Sequence, residues 1–78
     1  MANLSNVEGK FIEKLEEALE RDAGNVKMED FFRDYPEWDS LSVLVVLAMI
    51  NEEFDVTIPR QEFDKILTIR QLYDFIIQ

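Results

Sequence analysis

Apolar residues recur at every third or fourth position in the first quarter of the chain: Val7, Phe11, Leu15, Ala18 and Leu19. This spacing places them on one face of a helix, and the lysines and glutamates between them on the other. Ser5 and Glu8 have the spacing of a capping box at a helix start. We therefore predict an amphipathic first helix that begins near Ser5 and stops in the Gly- and Asn-containing residues 22–25.

Two further helices are predicted in the second half of the chain. Asp39 is a good N-cap for a helix over residues 40–54. The apolar run within it, residues 43–50, is rich in β-branched residues and taken alone could be a buried strand, but no second convincing strand is present to pair with it. Thr68 and Gln71 have capping-box spacing and predict a last helix, which carries apolar residues at helical intervals up to Ile76.

Residues 25–38 hold no regular period and include Pro36, which a helix would not tolerate there. We predict a long ordered loop, because it is too apolar for disorder. Most of its apolar side chains should pack onto the helices: Val26, Met28, Phe31, Phe32, Tyr35 and Trp38. Pro59 predicts one or two helical turns over residues 60–65, with Phe63 and Ile66 inward. The predicted fold is all-α, a small bundle of three main helices and a short one in a single domain over residues 1–78.

The second helix has more apolar residues than one helix face can hold. One set has the spacing of a core face: Val43, Val46, Leu47, Ile50 and Phe54. A second set lies on another side: Leu41, Leu44, Val45 and Ala48. Either the long loop covers this second stripe, or it is exposed and offers a docking surface to another protein. The sequence leaves both possibilities open.

The composition excludes much catalytic chemistry, because the chain has no cysteine and no histidine. Nucleophilic catalysis with an imidazole base, structural zinc sites and disulfides all require one or both. A calcium site formed by Asp30, Asp34, Glu37 and Asp39 is a weak alternative, since these residues lack the spacing and the central glycine of an EF-hand. We expect a protein that is not an enzyme and holds no metal.

The chain is strongly acidic, with 17 acidic against 8 basic residues and a formal net charge of −9. Such a surface repels nucleic acid and anionic membranes and attracts proteins with basic patches. The longest apolar run is too short to span a membrane, and the N-terminal residues lack the features of a secretory signal. We expect a monomeric cytoplasmic protein.

A longer pattern surrounds Ser40. Asp39-Ser40-Leu41 opens the apolar helix, Glu52-Glu53-Phe54-Asp55-Val56-Thr57-Ile58-Pro59 follows it, and residues 66–77 form the final amphipathic helix. This combination resembles the acyl carrier protein family closely over the last half of the chain, while the first helix and loop agree in length and pattern only. The resemblance implies 4′-phosphopantetheine on Ser40, attached through a phosphodiester by a phosphopantetheinyl transferase that uses coenzyme A. Because the reactive thiol belongs to this arm, a carrier needs no cysteine of its own.

The resemblance also implies roles for other residues. Asp39 would cap the helix and aid recognition by the transferase, and Leu41 would contact partners. Together with the second stripe, the candidate partner-binding set is Leu41, Leu44, Val45, Ala48, Glu52 and Glu53. The candidate acyl pocket, each member of which is equally well explained as core, is Phe32, Val43, Val46, Leu47, Ile50, Ile58, Phe63, Ile66, Leu72 and Ile76.

The chain departs from carriers of fatty acid synthesis in having Tyr35-Pro36-Glu37-Trp38 before the Asp-Ser-Leu, and Ser42, Val45 and Asn51 where acids are common. This favours a specialised freestanding carrier that docks more through apolar contact than through charge. Its acyl groups would come from a loading enzyme and pass to acyltransferases or synthases of a fatty-acid, polyketide or related pathway. Two alternatives stay open: an aminoacyl or peptidyl carrier loaded by an adenylating enzyme, and an acidic helical module that docks without any arm.

Overall fold

The computed structural model of this chain describes the backbone of residues 2–77 and the side chains of residues 7–77. Over these residues the chain forms four α-helices: α1 (Ala2–Leu19), α2 (Ser40–Phe54), α3 (Arg60–Phe63) and α4 (Ile69–Ile77). A short 3₁₀ helix, Phe32–Asp34, lies in the loop between α1 and α2. The predicted all-α fold, with three main helices, a short one and a long loop after the first, is confirmed.

The start of α1 differs from the prediction. Helical backbone already begins at Ala2, so Ser5 lies inside the helix and not at its N-cap. The side chain of Ser5, the other half of the predicted capping box, lies outside the described residues. Phe11, Leu15 and Leu19 are buried as predicted, whereas Val7 is 37% exposed because it lies near the end of the helix.

The end of α1 also differs, because the helix stops before the predicted glycine. Glu20 adopts a left-handed backbone conformation with φ of 58°. The amide of Arg21 then donates to the carbonyl of Glu16 (2.8 Å), and the amide of Glu20 donates to the carbonyl of Glu17 (3.2 Å). These two bonds form a Schellman motif on a residue other than glycine. Gly24 instead lies in a later turn with φ of 88°, where its amide donates to the Glu16 carboxylate (2.8 Å).

The loop between α1 and α2 packs against the helices, as predicted, with one exception. Val26, Met28, Phe32 and Tyr35 are buried, but Phe31 is 54% exposed. Phe31 has extended backbone and forms an isolated antiparallel bridge with Thr68. Successive side chains of an extended segment point to opposite sides, so the burial of Phe32 turns Phe31 outward.

The hydrophobic core receives side chains from every helix and from the loop. Its most deeply buried members are Phe11, Leu15, Phe32, Val46, Ile50, Phe63, Ile69 and Leu72. Phe11 contacts the rings of Tyr73 (5.4 Å between centroids) and Phe54 (6.0 Å), which joins α1, α4 and the end of α2. Burial of these large side chains is the main stabilising contribution to the fold.

The ends of α3 and α4 are held by side chains. Thr68 Oγ1 accepts from the Gln71 amide (3.1 Å) and Gln71 Oε1 accepts from the Thr68 amide (3.2 Å), so the predicted capping box of α4 is confirmed. The α3 helix is a single turn preceded by Pro59 as its N-cap. Arg33 donates from Nη2 to the carbonyls of Phe63 (2.7 Å) and Ile66 (3.1 Å), which fixes the loop to the end of α3.

Candidate functional site

Ser40 is the first residue of α2. Two nearby residues, Asp39 and Ser42, cap the start of the helix. Asp39 is the N-cap, as predicted, and its Oδ1 accepts from the Ser42 amide (2.9 Å). Ser42 Oγ accepts in return from the Asp39 amide (3.2 Å). The two residues thus form a reciprocal capping box. The prediction missed the second half, because the usual motif has Glu or Gln at the third helical position.

The two serines of this turn have different environments. The Ser42 hydroxyl lies 3.1 Å from Asp39 Oδ1 and 3.4 Å from the Glu37 carbonyl, and Ser42 is half-buried. Ser40 is exposed and lies outside this set of cap bonds. Of the two hydroxyls, that of Ser40 is therefore the one presented to solvent and to other proteins.

The electrostatics of the helix start suit an anion on Ser40. The first turn of a helix carries N–H groups without helical partners and the positive end of the helix dipole. The hydrogen bond from the Ser42 amide, followed by that from its hydroxyl, lowers the pKa of Asp39 below its ordinary value. Asp39 is thus charged at neutral pH, but its carboxylate is already bound to Ser42. An exposed phosphodiester on Ser40 Oγ fits this arrangement without displacing any buried group.

The segment before Ser40 is anchored to the end of α1 by Arg21. Its Nη1 lies 2.6 Å from Glu37 Oε2, and its guanidinium lies 3.9 Å from the centre of the Tyr35 ring. The hydrogen bond from Arg21 lowers the pKa of Glu37. Burial, together with the bond that the Tyr35 hydroxyl donates to Asp30 Oδ2 (2.8 Å), raises the pKa of Tyr35. No local pattern in the sequence indicates this contact, since Arg21 and Glu37 are 16 residues apart.

Trp38 is a second anchor of the same segment. Its half-buried ring lies 5.0 Å from that of Phe32 and 6.5 Å from that of Phe63, between centroids. Arg33 stacks on the other two rings at 5.1 and 5.0 Å. Trp38 therefore packs into the loop core two residues before Ser40.

The second apolar stripe of α2 is not covered by the loop. Leu41 is 66% exposed, Leu44 is 60% exposed, Ala48 is exposed, and Val45 is half-buried near Ala18 of α1. Of the two predicted alternatives, a covered or an exposed stripe, the exposed one is therefore correct for Leu41 and Leu44. What binds this stripe stays a prediction.

The two predicted acidic contacts differ in their surroundings. Glu52 is exposed, whereas Glu53 Oε1 lies 4.0 Å from Lys10 Nζ and 3.9 Å from Lys14 Nζ of α1. Part of the charge of Glu53 is therefore offset within the protein. Glu52 is the more available of the two for a basic partner.

The predicted pocket residues belong to the hydrophobic core. Eight of them are buried: Phe32, Val43, Val46, Ile50, Ile58, Phe63, Ile66 and Leu72. Leu47 and Ile76 are half-buried and pack against the same cluster. Their packing explains all ten as residues of the hydrophobic core. Their part in holding an acyl chain stays a prediction.

The described residues also bear on metal binding and on membrane insertion. Within them, no group of three or more acidic side chains converges on a possible metal position. Asp30, Glu37 and Asp39 instead bind different protein groups. Among the helices described, none combines the length and apolar character needed to cross a bilayer.

Comparison with protein families identifies a match to this chain. The family model described as phosphopantetheine attachment site matches residues 10–76. The matched segment runs from within α1 into α4 and includes the capped turn with Ser40.

Proposed function

The chain belongs to the family of phosphopantetheine attachment domains, and from this premise we propose that it is an acyl carrier with its arm on Ser40. Members of this family are carriers and not enzymes, and they hold 4′-phosphopantetheine covalently on a serine. The observation that supports Ser40 is its exposure at the first residue of α2, next to Ser42, whose hydroxyl is engaged in the cap. Ser5 is a poorer candidate, because it lies within α1.

Attachment at Ser40 requires a partner that supplies the base. Ser40 Oγ would form a bond to the phosphorus that carries the pantetheine half of coenzyme A. The pyrophosphate bond of coenzyme A breaks, and its adenosine bisphosphate half leaves. The proton of the Ser40 hydroxyl goes to a base of the phosphopantetheinyl transferase, since this chain has no histidine.

Within the chain, each residue of the capped turn has a distinct task. Ser40 holds the arm, whose thiol supplies the thioester chemistry when the arm is attached. Asp39 and Ser42 fix the start of α2, so that the hydroxyl of Ser40 is presented in one place. The N–H groups of the first turn favour the charge of the phosphodiester.

The proposed cargo is an acyl group of a dedicated fatty-acid, polyketide or related pathway. The aliphatic core side of α2, with Val43, Val46 and Ile50, supports an apolar cargo. The exposed Leu41 and Leu44 support partner enzymes, a loading enzyme and downstream acyltransferases or synthases, that dock through apolar contact. A radius of gyration of 11.7 Å supports a single carrier domain, because about 11.5 Å is expected of one compact domain of this length.

Intact-protein mass spectrometry tests the proposal. Wild type, Ser40→Ala and Ser42→Ala are incubated with coenzyme A, magnesium and a broad-specificity phosphopantetheinyl transferase. We expect the mass of one phosphopantetheine on wild type and Ser42→Ala, and none on Ser40→Ala. Addition to Ser40→Ala, or no addition to wild type with two unrelated transferases, would refute attachment at Ser40.

A further inference from the structure

The conformation of the residues just before Ser40 depends on contacts from a distant part of the chain. Residues 35–39 contain no regular helix or strand, and the one backbone hydrogen bond within them runs from the Trp38 amide to the Tyr35 carbonyl (3.0 Å). Arg21 contacts two of them at once, through the ion pair with Glu37 and the stacking on Tyr35. It also donates from Nε to the carbonyl of Asn25 (3.1 Å), which fixes the guanidinium itself.

The backbone of Arg21 is held by the end of α1, which makes Arg21 an effective anchor. Arg21 immediately follows the left-handed Glu20, and its amide closes the Schellman motif at the end of α1. Its side chain is 21% exposed, so the ion pair with Glu37 is shielded from water on one side. Glu37 in turn is joined to the cap, because its carbonyl lies 3.4 Å from Ser42 Oγ.

We propose that Arg21 is a positioning residue for the modification of Ser40, acting through Glu37 on the segment that leads into α2. The proposal rests on the proposed attachment at Ser40. The contacts of Arg21 are with Glu37, Tyr35 and Asn25, and not with Ser40. It raises the fraction of molecules in which the capped turn has the conformation that a transferase binds.

This role predicts a specific kinetic signature. If only a fraction of the carrier has the competent conformation, its apparent affinity falls by that fraction, while the bound complex reacts at its normal rate. Arg21→Ala should therefore raise the KM of the transferase for this carrier by roughly two- to fivefold, the range given by a partly exposed ion pair, and leave kcat unchanged. Arg60→Ala is the matched control, since it removes another arginine–carboxylate pair. Arg60 forms this pair with Asp64, and both residues come after Ser40 in the sequence.

A double-mutant cycle separates positioning from direct contact with the transferase. Glu37→Ala should raise KM as well, and the double variant should be no worse than Arg21→Ala alone, because the ion pair that Glu37→Ala removes is already lost in Arg21→Ala. Additive effects, an unchanged KM in Arg21→Ala, or an equal rise in Arg60→Ala would overturn the proposal.

Amide hydrogen exchange measures how well the same segment is held, without any transferase. The amides of Ser42 and Val43, which are bonded to Asp39, should exchange faster in Arg21→Ala than in Arg60→Ala. If wild type gains no phosphopantetheine, the proposed attachment at Ser40 is wrong. Equal exchange in Arg21→Ala and Arg60→Ala is a separate result, and it would show that Arg21 does not hold this turn. The single tryptophan, Trp38, gives a second check, since release of the segment should shift its emission to the red.

Discussion

The Ser42 hydroxyl and the Asp39 carboxylate bind each other's backbone amides, at 3.2 and 2.9 Å, and so enclose Ser40 between the two halves of one helix cap. The proposed attachment position is thereby held by its neighbours in sequence, while Ser40 itself stays exposed. A carrier requires this combination, because its serine must enter the active site of another protein in a defined orientation.

Ser42→Ala should lower the free energy of unfolding by about 0.5–1 kcal/mol, since one exposed cap bond is lost. Ser42→Gln should restore most of this loss, because glutamine at the third helical position can reach back to the Asp39 amide. Urea denaturation of the two variants measures both effects. Equal losses in Ala and Gln variants would mean that the Ser42 hydroxyl acts by another contact.

Acid should weaken the site through Glu37 and Asp39. The pKa of each is lowered in the folded protein, so the folded state binds fewer protons than the unfolded one and stability rises with pH. The contribution is complete above the unfolded pKa values, about 4, and is lost as the pH falls through the lower folded values. Carboxyl titration by NMR should show the Glu37 midpoint returning toward its ordinary value in Arg21→Ala. An unchanged midpoint would contradict the role of the arginine.

The two sides of α2 should respond differently to truncation. Val46→Ala removes buried methyl groups and should cost about 1–3 kcal/mol, whereas Leu44→Ala removes a larger but exposed side chain and should change stability by less than about 0.5 kcal/mol. Thermal or urea unfolding checks this pair. Leu44→Ala should instead weaken binding of a partner enzyme, and that loss should persist at high salt, because the contact is apolar. A loss that disappears in salt would indicate that charge dominates docking.

The left-handed end of α1 gives a backbone test. Glu20→Gly should leave stability unchanged or raise it by up to about 1 kcal/mol, since glycine adopts positive φ without strain. Gly24→Ala should lower it by a similar amount, because φ there is 88°. The urea midpoint should therefore fall in Gly24→Ala and should not fall in Glu20→Gly. A clear loss in Glu20→Gly would show that the glutamate side chain matters more than its backbone.

Local signals predicted α2 and α4 well, because a cap residue and a helical period lie within a few positions of each other. Asp39 and the Thr68–Gln71 pair marked helix starts that the structure confirms. The end of α1 was predicted wrongly, since Gly24 does not end the helix. Its amide donates instead to the Glu16 carboxylate. The outward orientation of Phe31 follows from the burial of Phe32, in a segment that pairs with Thr68 far along the chain.

At the site, the sequence predicted Ser40 as the attachment residue, Asp39 as the N-cap and an apolar stripe on α2, but not what holds the turn in place. The Ser42 half of the cap departs from the usual motif. The Arg21–Glu37 pair exists only because α1 and the long loop fold back on each other, which no local pattern records.

The most direct test of the account is to locate the arm on the modified protein by fragmentation mass spectrometry. Trypsin cleaves after Arg33 and Arg60, so a single peptide carries both Ser40 and Ser42. We expect the mass of phosphopantetheine on fragments that contain Ser40 but not Ser42. Its appearance only on fragments that contain Ser42, or on the peptide with Ser5, would show that Ser40 is not the attachment residue.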